Sequence, residues 1–265
     1  MNALAEETLI KTVSFQDKPI NFPKTQVNGA PLKPITQVLL DRRATPHFKH
    51  DPVPEEYLEA ILSFAAQAPS GFNLQPWRFI VVRDAENRHR LQKAAMNQSK
   101  VSEAPVVIIA FAIKGEWKSR MDAIFEEGVR RGAGDAAIVE MQKAAATKFL
   151  DAFPPALWLN RHTMIALTTM MLVAEAYGLD TAPMEGFDAD VVKREFSLPL
   201  ESEVIALLAI GFGKGPDKVY GGRLALEEIV SQEHYGWPWA GKNSSPDLKT
   251  KNHSPGPSGP DDQMT

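Results

Sequence analysis

The sequence of 265 residues contains no cysteine. That absence excludes a disulfide scaffold, a thiolate nucleophile, an iron–sulfur cluster and a cysteine-based zinc site. A basic surplus is also missing: 29 lysines and arginines stand against 33 acids, a net charge of −4. General nucleic-acid binding, which rests on such a surplus, is not expected. The longest apolar run, Ala104 to Ile113, is about half of the roughly 20 residues that a membrane-spanning helix needs. The opening segment MNALAEETLIKTVSF lacks a charged start followed by an apolar stretch, so it does not read as a secretory signal, and a soluble cytoplasmic protein is expected. The chain has no G-x-x-x-x-G-K-[ST], H-E-x-x-H or G-x-S-x-G motif. Gly211-x-Gly213-x-Gly215 lacks the spacing of a dinucleotide loop. His47 and His50 lie beside Asp51 between two prolines with no third ligand suitably spaced, so no metal is expected.

What is present is ordinary globular composition, 44% hydrophobic and 23% charged, on a chain long enough for a full core. Ile35, Val38 and Leu39 follow helical spacing within 34–43. Pro54 fits a first helical position before the stripe Leu58, Ile61, Leu62 and Ala65. Phe79–Val82, Val106–Ile113 and Val204–Ile210 read as buried strands, the second opened by Pro105, and 86–96 as a helix. Residues 116–150 read as two helices or one interrupted at RRGAG. Pro155–Tyr177 is a long helix, apolar on more than one face, that Gly178 stops. Asp180–Ala182 is a short extended piece, and Asp188 caps a helix ending near Phe196. Three parts follow: an N-terminal extension over 1–30, a domain over 31–240 and a polar tail over 241–265 rich in Pro, Gly and Ser. The mixture of helices and strands fits an α+β or α/β sandwich.

Four segments combine loop chemistry with groups suited to a planar, phosphorylated ligand. Adjacent Arg42 and Arg43 can clamp a phosphate, or form a solvated basic helix end. The run Pro69-Ser70-Gly71-Phe72-Asn73-Leu74-Gln75-Pro76-Trp77 supplies a hydroxyl and two amides, or is a plain connection with Trp77 as a core anchor. Asn97-Gln98 offers amides, or a helix cap. Pro183-Met184-Glu185-Gly186 lets backbone approach a ligand closely, or is a turn before the Asp188-capped helix.

Taken together, these segments resemble the FMN-dependent nitroreductase family. The likeness runs through DRRATPHF, APSGFNLQPWRF, ENRHRLQKAAMNQ, SEAPVVIIAFA, GLDTAPMEGFD and GGRLALEEIV, in order over about 35–230. It implies a sandwich with a mixed, mainly antiparallel sheet flanked by helices around a central buried helix, and domain-swapped dimer arms. It also implies a homodimer with FMN at the subunit interface. Arg42, Arg43 and Ala44 would lie along the phosphate and ribityl chain, with Arg223 completing the phosphate clamp. Pro69, Ser70 and Asn73 would come from the partner subunit, and Gln98 would bond the flavin's polar edge. Pro183, Met184, Glu185 and Gly186 would line the ring system, with backbone near Glu185 and Gly186 close to N5 and no catalytic side chain. NADPH or NADH would be the reductant and a nitroaromatic or quinone the acceptor. The chain departs from the family's pattern at Ala44, Pro46 and Gly221, where a serine, a basic residue and a lysine are usual, and Lys214 or Lys218 could compensate. Other expectations are a different flavin enzyme of the same fold (a dehydrogenase or dehalogenase), a non-catalytic flavin-binding protein, or a hydrolase using Ser70.

Overall fold

A computed structural model describes residues 26–27, 30–215 and 219–239. The tail 241–265, Lys218 and most of the expected extension 1–30 lie outside the described residues. The chain divides into two compact units, one ending at Lys218 and the other beginning at Val219.

The first unit is organised on the most apolar stretch of the sequence. Val106–Ile113 forms β4, bounded by Pro105 and Lys114, and every residue but the last is buried. A strand buried on both faces must lie inside a sheet, and β4 pairs antiparallel with β3 (Trp77–Val82) and with β6 (Ser202–Gly211). β5 (Asp180–Met184) pairs antiparallel with the far side of β6, giving the order β3-β4-β6-β5. A separate two-stranded piece joins β1 (Gln26–Val27) to β2 (Ala30–Pro31).

One face of the four-stranded sheet is covered by α2 (Glu55–Ala65), α5 (Glu116–Arg130), α6 (Val139–Ala152) and α7 (Pro155–Ala176). On α7, Leu159, Thr163, Ala166, Leu167, Met170 and Ala174 form the buried stripe, while Leu157 and Ile165 of the same helix stay exposed. Gly178, at φ 76°, lets the chain leave α7 and enter β5 two residues later. The opposite face carries α3 (Ala85–Ala94), α4 (Ser99–Glu103) and α8 (Ala189–Glu195) over a second core of Leu91, Val107, Ile109, Val192 and Leu207. α1 (Ile35–Asp41) packs against α7 and buries Val38, leaving Ile35, Leu39 and Leu40 exposed.

Several expectations shift by small amounts. Pro54 sits at the N-cap of α2 and not inside it. The helix expected over 86–96 stops at Ala94, because Met96 and Asn97 adopt left-handed backbone. The segment over 116–150 is two helices, parted by Gly132 in a left-handed conformation. Among the described residues no helix is long and apolar enough to cross a membrane.

The second unit contains α9 (Leu226–Ile229), whose N-terminal Ala225 N–H donates to Glu228 Oε1 at 3.0 Å. Beyond it, Ser231 bridges Pro238.

Candidate functional site

The chain leaves α1 at Arg42, whose N–H still donates to Val38 O at 3.0 Å while its own backbone (φ −54°, ψ 122°) has turned extended. The following residues run beside β5: Ala44 forms a parallel bridge with Thr181, and Thr45 N–H donates to Thr181 O at 3.0 Å. Asp180 fastens this crossing. Its Oδ1 accepts from Thr45 Oγ1 at 2.8 Å and its Oδ2 from Gly213 N–H at 2.8 Å. Three residues on, the arm pairs with the chain just past β6, with Phe48 bridging Gly213 and Lys49 N–H donating to Phe212 O at 2.8 Å.

Extended chain sends alternate side chains to opposite sides. Arg43 and Thr45 accordingly line a cavity of about 320 Å³ together with Lys33, Glu175, Asp180 and Lys214. Arg43 Nη1 donates to Arg42 O at 2.9 Å. Lys33 Nζ is bonded to Glu175 Oε1 at 2.6 Å and Asp41 Oδ2 at 3.3 Å. Arg42 and Ala44 belong to the other side of the arm. The two arginines that are adjacent in sequence therefore serve different surfaces.

The arm is held from below by Glu103 at the end of α4. Its Oε2 accepts from Phe48 N–H at 3.2 Å and lies 3.1 Å from His47 Nδ1. Partial burial pushes this carboxyl up, but the Phe48 N–H and the His47 ring outweigh burial and hold it below its ordinary value. His47 thus faces a single carboxylate, and among the described residues no cluster of three metal-ligating side chains occurs.

The Pro183–Gly186 segment continues from the arm's strand. Met184, buried, is the last residue of β5 to pair, opposite Leu207. The N–H groups of Glu185 and Gly186 therefore leave the ladder. Gln98 Nε2 donates to Gly186 O at 2.9 Å and to Ala95 O at 3.2 Å. Asp188 N–H donates to Ala94 O at 2.8 Å, and its Oδ1 accepts from the N–H groups of Asp190 and Val191, capping α8. A Cβ at Gly186 would rest 3.5 Å from Met96 Sδ and 3.6 Å from Gln98 Nε2, so the glycine opens a shallow cradle beside Met96. Ala44, Gln98 and Met184–Gly186 are brought to one margin of the sheet.

Ser70 and Asn73 are not. Their loop enters β3, the other outer strand of the order β3-β4-β6-β5, and three strand spacings of about 4.8 Å put the two margins about 14 Å apart. The loop is closed by Ser70 Oγ, which accepts from Gln75 N–H at 2.9 Å. Phe72, Asn73 and Gln75 have φ of 54°, 55° and 46°, a backbone state that costs energy outside glycine and persists only where the surroundings enforce it. Phe72 and Asn73 border a cavity of about 170 Å³ lined by Ile124, Phe125 and Val129 of α5. Arg223 lies in the second unit, its guanidinium 5.6 Å above the ring of Tyr220 and its Nη1 donating to Gly222 O at 2.6 Å.

Thr45, Asp180 and Gly213, which fix the arm, were not singled out by sequence reading. The legible signal was the order of polar and apolar residues in 42–48, which suits extended chain once α1 is ended at Asp41.

The chain is similar to known proteins. A protein of Thermus thermophilus named NADH dehydrogenase is 37% identical over 191 residues, covering 72% of this chain and 92% of that protein. An oxygen-insensitive NAD(P)H nitroreductase of Salmonella typhimurium is 31% identical over 183 residues, covering 62% and 81%. Among solved structures, a nitroreductase-like protein of Streptococcus mutans superposes with a TM-score of 0.69 at 25% identity, covering 75% of this chain and 98% of that one. A structure from Exiguobacterium sibiricum, described as a nitroreductase in complex with FMN, gives 0.70 at 24% identity, covering 79% and 100%, and shares the fold. The family model for nitroreductases matches residues 39–214, a span that starts inside α1 and takes in the arm, the loop before β3, Gln98 and the turn after β5. With most of the chain and the whole β5 margin accounted for in this way, the protein belongs to the nitroreductase family.

Proposed function

We propose that the protein is an FMN-dependent oxidoreductase that uses NAD(P)H to reduce an electron-poor acceptor such as a nitroaromatic or a quinone, working as a homodimer with flavin at the subunit interface. The observation that carries this reading is the convergence of Ala44, Gln98 and Met184–Gly186 on one margin of the sheet of a nitroreductase-family chain. FMN, when bound, supplies a two-electron carrier that accepts hydride at N5.

The residues present suit that group. Arg42, on the side of the arm away from the cavity lined by Arg43, would meet the phosphate dianion through a charge-assisted contact. The backbone at Glu185 and Gly186, past the end of the β5 ladder, offers N–H donors, and the side-chain-free Gly186 leaves a flat approach. Gln98 fixes this turn with its amide nitrogen while its oxygen stays available to the polar edge of a ring. No side chain need act as acid or base; the protein orients, neutralises and excludes water.

Ser70 and Asn73, on the opposite margin, would serve the site of a second copy. Exposed Leu157 and Ile165 on α7 and Ile35 and Leu39 on α1 offer the apolar surface that such an assembly would cover. The test is the absorption spectrum of the purified protein before and after anaerobic NADPH. A flavin band that bleaches is expected, and a protein with no flavin band even after added FMN overturns the reading.

A further inference from the structure

The strained loop before β3 rests on a specific support. An added Cβ at Gly71 would stand 3.2 Å from Trp158 Nε1 and 3.3 Å from His162 Nε2, so the loop backbone sits directly on two rings of α7. These rings form one unit: their centroids are 4.5 Å apart, and His162 Nδ1 lies 2.7 Å from Trp158 O. A carbonyl only accepts, so Nδ1 carries the proton and orients the imidazole with Nε2 towards Gly71. Trp158 is buried in the core and cannot retreat by itself. Elsewhere the loop is held by Arg120 Nη1 donating to Gln75 O at 3.3 Å, by Phe72 meeting the Phe149 ring edge-on at 5.8 Å, and by Leu74 buried in the core.

Left-handed backbone at Phe72, Asn73 and Gln75 needs such external enforcement. We infer that His162 is a positioning residue: held by Trp158 O and packed at a 42° tilt against the indole, it sets the height of Gly71 and thereby the placement of Ser70 and Asn73. The inference extends the flavin reading, since it is through those two residues that His162 would act on the cofactor of the partner subunit.

Two measurements separate the inference from the reading beneath it. Amide hydrogen exchange of Asn73, Leu74 and Gln75 in flavin-free protein does not depend on cofactor. His162→Ala is expected to speed these amides about tenfold or more, leaving β4 protected, and His162→Gln, whose amide keeps a planar group at the height of Nε2 facing Gly71, to restore most of the protection. Unchanged exchange at the loop in His162→Ala overturns the inference. The second measurement is FMN affinity by quenching of flavin fluorescence. His162→Ala is expected to weaken it about tenfold. Gly71→Ala is also expected to weaken it, and the double variant to bind more tightly than Gly71→Ala, because removing the imidazole takes away one of the two rings that the new methyl group meets. A double variant no better than Gly71→Ala contradicts the support. Wild-type protein that takes up no FMN overturns the flavin reading, and the exchange experiment then decides the role of His162.

Discussion

The amide of Gln98 holds the carbonyl of Gly186 at 2.9 Å across 88 residues of sequence. It joins the loop after α3 to the turn after β5, the two segments that the flavin reading assigns to the ring system. Removing the amide leaves a part-buried carbonyl without its donor and lets the turn relax. Gln98→Leu is therefore expected to weaken FMN binding about five- to tenfold, the equivalent of one net hydrogen bond of about 1 kcal/mol. A fluorescence titration checks this, and affinity within twofold of wild type contradicts the role given to Gln98.

The two arginines after α1 give a paired test. Arg42→Ala is expected to weaken FMN retention about tenfold or more, through loss of a charge-assisted contact. Arg43→Ala, whose side chain lines the cavity with Glu175 and Asp180, is expected to change it less than about threefold. Equilibrium dialysis of both variants decides, and a reversed order would mean that the arm presents its other side to the phosphate.

Gly213→Ala places a methyl group 2.8 Å from Asp180 Oδ2, which must then give up its bond with the Gly213 N–H and disturb Thr45. The expected loss is about 1–3 kcal/mol, or several degrees in Tm by thermal unfolding for a chain of this size. An unshifted Tm would show that the Asp180 junction does not stabilise the arm.

Glu103 provides a pH signature. Its folded-state value lies below the ordinary 4.5, so its contribution is fully present above about pH 4.5 and is lost as pH falls through the lower, folded value. Glu103→Gln keeps an oxygen for Phe48 N–H but removes the charge. The variant is expected to lose less stability than wild type on acidification from pH 5 to about pH 3. Parallel denaturant titrations at the two pH values check this, and equal losses would assign the acid sensitivity elsewhere.

The parts of the fold that sequence announces are those governed by local rules. Val106–Ile113 coincides with β4 end to end, because an apolar run between a proline and a lysine admits one reading. Asp188 caps α8 as expected, its carboxylate bonding two N–H groups of the first turn. α4 escapes because five residues with one buried side chain, Val101, carry no periodicity. The early end of α3 escapes because nothing about Met96 favours left-handed backbone; the turn is imposed by Gln98 and Asp188 reaching across to neighbouring segments. In the candidate site, the segments were legible and their grouping was not. Asp180 meets Thr45 across 135 residues, a relation with no local trace. Telling Arg42 from Arg43 requires knowing that the chain is already extended at that point.

The order β3-β4-β6-β5 puts Ser70 and Gly186 on opposite margins of one sheet. On the proposed two-chain site, association and cofactor retention become a single mass-action equilibrium. Dilution would then strip flavin from the protein, added FMN would drive reassociation, and specific activity would fall with enzyme concentration even at saturating substrate.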